Sequence, residues 1–410
     1  MLAQILDPPL AALSAGRVAL VAAGAIIVLG TFREVIVTLI VPRRPRRQGR
    51  IAASWLAQAL WWMVGGAFEL AARRAPASRS RRRSRERRYL AEDALLGRVA
   101  AVSLVALLGS WILLIFTGFS LMIWGVRGGG YAAALDLTGS SLLTLGVRPP
   151  VGAGETLLAY LAAAAGLVVL ALEIGYLPAI YGHYNRRETL MRILESRAGR
   201  PAWGPEILMR QHNVGGLDTM AELYASWEAW SAETMEAHLT FPWLMLFRSS
   251  DPLESWITSL LAVLDCAAMQ LALCPAEAPS SQARQCLRMG FTALRRLAEM
   301  LRIEFTADPL PDDRIELTPA EFADAVAYLA SNGFALQRSA AEAWPDFHGW
   351  RVNYEQIAHA LARRFHAPPA LWSGAPEPIA PRTVRDRTHA DPEGRRIHHL
   401  EDRSGGPPRR

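Results

Sequence analysis

Cysteine is scarce in this sequence: three residues in 410, Cys266, Cys274 and Cys286, all in the second half. That number cannot build a disulfide framework, and thiols on the cytoplasmic side stay reduced, so these three read as packed or idle. Catalytic constellations are missing as well. There is no glycine-rich nucleotide loop, no metal-ligand cluster and no serine-histidine-acid set. Ser140-Ser141 lies in an apolar stretch rather than on a strand-to-helix elbow, and His238 reads as a helix-surface or core histidine. His398 and His399 stand in a polar tail that supplies no further ligands. Neither an enzyme nor a cofactor is therefore expected. The first apolar run lacks a preceding basic stretch and ends in arginines instead of small residues, so no cleaved signal peptide is expected.

Charge is sparse over roughly the first 185 residues, which hold long apolar runs, while the remainder has ordinary globular composition and a polar end. The whole chain is 51% hydrophobic with mean hydropathy +0.13, high for a wholly soluble protein. Three runs reach the ~20 residues a membrane-spanning helix needs: 18–41, 99–124 and 157–180. Arginines crowd the chain at 43–50 and again at 79–88, and such clusters mark the cytoplasmic side. They put the N-terminus outside and the C-terminus in the cytoplasm of a multi-pass inner-membrane protein. The run 55–70, with Trp55, Trp61 and Trp62, lies between the two clusters and reads as an interfacial helix, with a further span as the alternative. Arg81, Arg82 and Arg83 are assigned to lipid headgroups and to orientation rather than to nucleic acid.

Two spans contain charge. Arg33 and Glu34 interrupt the first, where they either snorkel or pair locally, or serve a function inside the membrane. Glu173 lies within the third, where it lines a cavity or pairs with Arg33 of a neighbouring helix. Gly166 and Gly175 give that span places to bend, and Arg186 and Arg187 anchor its cytoplasmic end. Arg33 alone cannot supply several gating charges, so steep voltage dependence is not expected.

Beyond residue 200 helix starts are well marked. Asp251-Pro252-Leu253-Glu254 and Thr318-Pro319-Ala320-Glu321 each place a capping side chain, a proline at the first helical position and an acid at the third. Met220, Leu223, Trp227 and Trp230 recur at helical spacing, as do Trp256, Leu260, Leu261 and Leu264, which predicts a helical bundle with a tryptophan-rich core. From about Ser373 proline, arginine, histidine and acids dominate without period, the composition of a disordered tail.

Between the second and third spans lies the segment that carries chemistry. Residues 135–143 suit a short helix, and Thr144-Leu145-Gly146 then leaves it as an extended loop. Non-helical backbone at membrane depth is tolerated only against protein or water, so helix, turn and extended strand between two spans is the layout of a pore loop. Here the chain resembles bacterial two-pore-domain potassium channel family proteins, members of the potassium-channel superfamily with a two-helix pore. The likeness rests on Thr138-Gly139-Ser140-Ser141-Leu142-Leu143-Thr144-Leu145-Gly146, on Glu173-Ile174-Gly175-Tyr176-Leu177-Pro178 with Tyr181, and on Arg186-Arg187-Glu188. It continues around Ser249, Trp256 and Leu264-Asp265.

The resemblance implies a pore helix containing Thr138, Gly139, Ser140 and Ser141, and a selectivity filter of Thr144, Leu145, Gly146, Val147 and Arg148. It further implies a homotetramer, conduction of potassium or another monovalent cation, and lipid as the surrounding partner. The filter departs from the family pattern: Val147 stands where an aromatic is usual, Arg148 in place of the second glycine and Pro149 in place of the acid. A filter aims successive carbonyls at a dehydrated cation through backbone angles that glycine reaches without strain. Arg148 is expected to carry strain of about 1–2 kcal/mol in each subunit, and four guanidinium groups at the mouth are expected to repel cations.

The expected fold is thus an all-α membrane protein with three transmembrane helices, a pore helix and re-entrant loop between the last two, and a cytoplasmic helical bundle. Its segments run 1–50 (first span and basic exit), 51–97 (interfacial helix and arginine-rich linker), 98–187 (pore domain), 188–372 (cytoplasmic domain) and 373–410 (tail). The role of the cytoplasmic domain and its partner do not follow from the sequence.

Overall fold

The computed structural model describes residues 14–39 and 81–381. The basic exit at 43–50, the expected interfacial helix at 55–70 and the tail from 382 lie outside the described residues. In chain order the helices are α1 (Ala15–Leu39), α2 (Arg81–Arg127), α3 (Tyr131–Leu142), α4 (Ala153–Ala198), α5 (Gly204–Asn213), α6 (Met220–Thr240), α7 (Trp256–Leu273), α8 (Ser280–Leu301), α9 (Pro319–Ser331), α10 (Ala340–Arg351) and α11 (Glu355–Arg364). Among the described residues there is no strand, only an isolated bridge between Ala370 and Ile379.

Among the described residues four helices are long and apolar enough to cross a membrane, α1, most of α2, α4 and α7, which marks the chain as a membrane protein. They are not alike. The apolar windows of α1, α2 and α4 are only 22–38% buried, whereas that of α7 is 94% buried. A helix apolar all round and covered by protein is a core helix; one that leaves its apolar face bare needs another solvent.

The chain divides into two compact units, 1–79 with 95–182 and 80–94 with 183–410, so α2 and α4 each run through both. In the N-terminal unit α1 and α2 cross on small residues. A Cβ on Gly24 would collide with the Gly118 carbonyl, and one on Gly125 would lie 2.8 Å from the Arg17 carbonyl. Such close backbone approach is how apolar helices associate where water gives no driving force. Arg17 in turn donates through Nε to the Gly125 carbonyl at 2.7 Å and through a second nitrogen to that of Val126, satisfying orphan carbonyls at the end of α2.

The C-terminal unit is a bundle around α7. The predicted stripes are its core: Met220, Leu223, Trp227, Trp230, Trp256, Leu260, Leu261 and Leu264 are all buried, as are the three cysteines. Thr318 forms the anticipated capping box, its side chain accepting from the Glu321 amide while Glu321 accepts from the Thr318 amide. The first capping assignment is corrected. Asp251 closes a turn by accepting from the Leu253 amide at 2.8 Å, and α7 starts five residues later with Ser255 as its cap. Aspartate serves a tight turn as readily as a helix start, and Ser255 stands closer to the apolar run.

Three more expectations change. Residues 81–97, read as a linker, belong to α2, because arginine, alanine, leucine and glutamate continue a helix and no proline stops it. Residues 373–381, read as tail, are ordered: Ser373 is buried and the Ile379 amide donates to the Pro369 carbonyl at 2.6 Å. Arg187, read as a membrane anchor, is buried in the C-terminal unit, where it donates to the Leu244 carbonyl at 3.1 Å and that of Phe247 at 2.7 Å and pairs with Glu188 at 3.0 Å. Arg248, just beyond that turn, donates to the Tyr89 hydroxyl at 2.7 Å and the Phe365 carbonyl at 2.9 Å and pairs with Asp93. The segment 242–248 therefore holds residues 89 and 93 of α2 and residue 187 of α4 at once.

Two histidines of this unit are buried where their charged form is disfavoured. Burial, reinforced by Arg187, pushes His238 well below the usual 6.5, and burial with Arg351 lowers His359. The unfolded chain takes up protons there near pH 6.5 and the folded chain does not, so stability is lost as pH falls below that value. Each group contributes up to about 1.4 kcal/mol per pH unit. The melting temperature of the purified protein is expected to fall between pH 7 and pH 5, and His238→Gln, which cannot titrate, to flatten that fall. An unchanged slope in the variant would remove His238 from this account.

Candidate functional site

The site begins at the end of α2. Gly128 and Gly129 take positive φ values of 72° and 74°, turning the chain back, and the Trp124 indole N–H donates to the Gly129 carbonyl at 2.9 Å. With no β-branched residue before Thr138, 131–142 then winds into α3, whose apolar face enters between α2 and α4. Near its start Ala134 and Leu137 pack with Ile123, Leu158 and Ala159; at its end Leu142 packs with Ile115, Phe119, Ala162 and Ala165. Twelve residues of α3 advance about 18 Å, and Ile115 stands a similar distance from the end of α2, as Gly166 does from the start of α4. The tip of α3 therefore lies midway along the apolar part of both helices.

Gly166 is what lets it reach there. A Cβ on this residue would overlap the Leu142 carbonyl oxygen and lie 3.1 Å from its carbon. α4 is one continuous helix from 153 to 198 through Gly166, Gly175 and Pro178, and Gly166 serves close approach. Gly175 has nothing within 4 Å of a Cβ. Glu173 is buried, and its Oε1 has no hydrogen-bond partner among the described residues.

From Leu142 ten residues return to α4, alongside α3. The amides of Leu145 and Gly146 donate to the Ser140 carbonyl at 2.8 and 3.1 Å, and the Arg148 amide donates to Ser140 Oγ at 2.9 Å. One turn further back the Arg148 guanidinium meets Asp136 at 3.3 Å. At the far end Glu155, buried, accepts from the Val151 amide at 2.9 Å and pairs with Arg127 at 3.5 Å. Ser140 is thus the clamp of the return segment, a role that its place in a run of small residues gives no hint of. Thr138 is buried and its hydroxyl donates back to the Ala134 carbonyl at 2.8 Å; Gly139 approaches Phe116, and Ser141 is half-buried.

Thr144, Leu145, Gly146, Val147 and Arg148 are all exposed on the single chain. Thr144 has φ 55° and Gly146 φ 67°, with Leu145 between them on the ordinary side, so handedness alternates over these three residues and then stops. Among the described residues the carbonyls of 144–147 accept no hydrogen bond. Two expectations are corrected here. The backbone strain predicted at Arg148 is borne by Thr144, because the clamp on Ser140 leaves Arg148 its normal φ. The Arg148 charge is not bare but faces Asp136, although both side chains are more than half exposed, where such a pair contributes at most about 1 kcal/mol.

Arg81, Arg82 and Arg83 open α2, and their side-chain contacts, with lipid or otherwise, lie outside what is described. No cluster of histidine, cysteine and carboxylates suited to a metal ion occurs among the described residues. Compared with family models, with curated proteins and with solved structures, the chain matches none.

Proposed function

We propose that this chain is a potassium-channel-like ion channel of the inner membrane, with four copies around one pore and the C-terminal unit in the cytoplasm. The observation that carries the proposal is the return segment after α3: carbonyls without a hydrogen-bond partner among the described residues, on backbone of alternating hand, starting halfway along two apolar helices. Carbonyls so placed replace the hydration shell of a monovalent cation when they meet their counterparts on a symmetry axis. The exposed apolar residues of α4, among them Leu157, Tyr160, Leu161 and Leu167, supply surface for neighbouring copies and lipid. Because alternation ends at Gly146, the pore offers the inner part of a filter only, and weak selectivity follows.

The Arg148-Pro149 pair favours a second reading, a non-conducting membrane scaffold that keeps this architecture and acts through its helical C-terminal unit. A flux measurement on protein in liposomes separates the two. Under the channel reading wild type carries a potassium flux that Thr144→Ala reduces at least tenfold, and a potassium-sodium gradient gives a reversal potential between the two equilibrium values. A silent wild type that gains potassium current in Arg148→Gly with Pro149→Asp supports the scaffold and rejects the channel.

A further inference from the structure

The C-terminal unit contains a cavity of about 560 Å³ that the channel proposal does not use, in the size range of small-molecule sites. Its wall joins Trp203, just before α5, and residues of α9, α10 and α11 to the ordered segment 371–378. Trp203 and Trp372 line it with their rings edge to face, 5.8 Å between centroids, and Glu316, Glu321 and Asp324 line it with carboxylates. From these residues we propose that the cavity binds a small organic cation.

The charge balance decides the sign. Arg351 also borders the cavity, but it is fully buried and spent: it donates to Asp265 at 2.5 Å, to Glu355 at 2.7 Å and to the Trp372 carbonyl at 2.6 Å. His359 is buried, its ring nitrogens 2.9 Å from Glu316 and 3.0 Å from the Trp372 carbonyl, and burial with Arg351 beside it disfavours its charged form; even a charged ring there leaves the three carboxylates in excess. Glu316 is approached by Arg363 only at 3.8 Å across solvent, and Glu321 is occupied with the cap of α9. Asp324 is exposed and has no ion pair or hydrogen bond among the described residues. What faces the cavity is net negative.

The same residues argue for an organic body rather than a metal ion. The carboxylates are not gathered into a group that could hold a metal. Two indoles beside anionic oxygens are instead the setting in which an ammonium or guanidinium gains from both π faces and charge. The wall is built rather than accidental. Trp372 is held at φ 63°, which a bulky residue adopts only when its surroundings force it, and the force is the double grip of Arg351 and His359 on its carbonyl. Gly374, at φ 73°, fits against His359 where a Cβ would collide.

Calorimetric titration of the full-length protein in detergent tests the proposal with three ligands of one body: phenethylammonium, 2-phenylethanol and phenylacetate. Saturable binding of the cation is expected, at least tenfold tighter than the alcohol, weakening with added salt, with no binding of the anion. Asp324→Asn is expected to weaken it at least fivefold and Asp324→Lys to abolish it. That position is exposed, so an unchanged melting temperature keeps both variants interpretable. Absence of saturable binding, equal binding of cation and alcohol, or indifference to Asp324→Lys would each overturn the proposal. None of these readouts depends on whether the chain conducts ions.

Discussion

Arg351→Met is expected to lower the unfolding free energy of the C-terminal unit by about 3–5 kcal/mol, the cost of leaving buried charge without its partner. Arg351 is a fully buried cation of the bundle core, and its three nitrogens satisfy Asp265 on α7, Glu355 on α11 and the Trp372 carbonyl. Tyr354 donates to the same Asp265 oxygen at 2.9 Å, and Glu355 accepts the amides of Glu316 at 2.5 Å and Leu317 at 3.1 Å. Removal of the guanidinium thus strands two carboxylates, where removal of an apolar neighbour leaves only a void. Arg351→Lys keeps the charge but cannot serve three acceptors from one ammonium, and an intermediate loss is expected. Adding Asp265→Asn and Glu355→Gln to Arg351→Met should restore part of the stability, since the stranded charges are then gone. Denaturation followed by tryptophan emission reads all of these, because Trp227, Trp230 and Trp256 are buried in the same core. A loss under 1 kcal/mol for Arg351→Met would mean that the network contributes nothing net.

That network also marks where sequence reasoning stops. Asp265 is conspicuous as an acid in an apolar helix, but its partner lies 86 positions away, and no periodicity links residues brought together by tertiary packing. Local signals survive better. The Thr318-Pro319 start and the tryptophan stripes are legible because capping and helical spacing act within a few residues. The Asp251-Pro252 start is misleading for the same reason, since a neighbouring serine competes for the cap. In the candidate site the short helix and the loop were legible from composition and order. The exchange of strain from Arg148 to Thr144 was not, because it follows from one serine hydroxyl that a list of small polar residues does not distinguish.

Gly166 supplies the second large expected effect. Gly166→Ala is expected to abolish potassium flux, and Gly175→Ala, nine residues along the same helix, to leave it unchanged. Glycine in an exposed helix interior costs about 1 kcal/mol relative to alanine, so propensity alone predicts that both substitutions stabilise. Packing reverses the sign at one of them. The methyl at 166 overlaps the Leu142 carbonyl, a backbone atom that no rotamer change can move aside, while the methyl at 175 meets nothing within 4 Å. To relieve the overlap α3 must withdraw from α4, and Ser140 carries the return segment with it through its bonds to Leu145, Gly146 and Arg148. In the proposed tetramer the carbonyls of 144–147 then lose their common height. Paired flux and native mass measurements separate this from bending: a hinge glycine would leave a conducting tetramer with altered gating after either substitution, and close approach leaves none after the first alone.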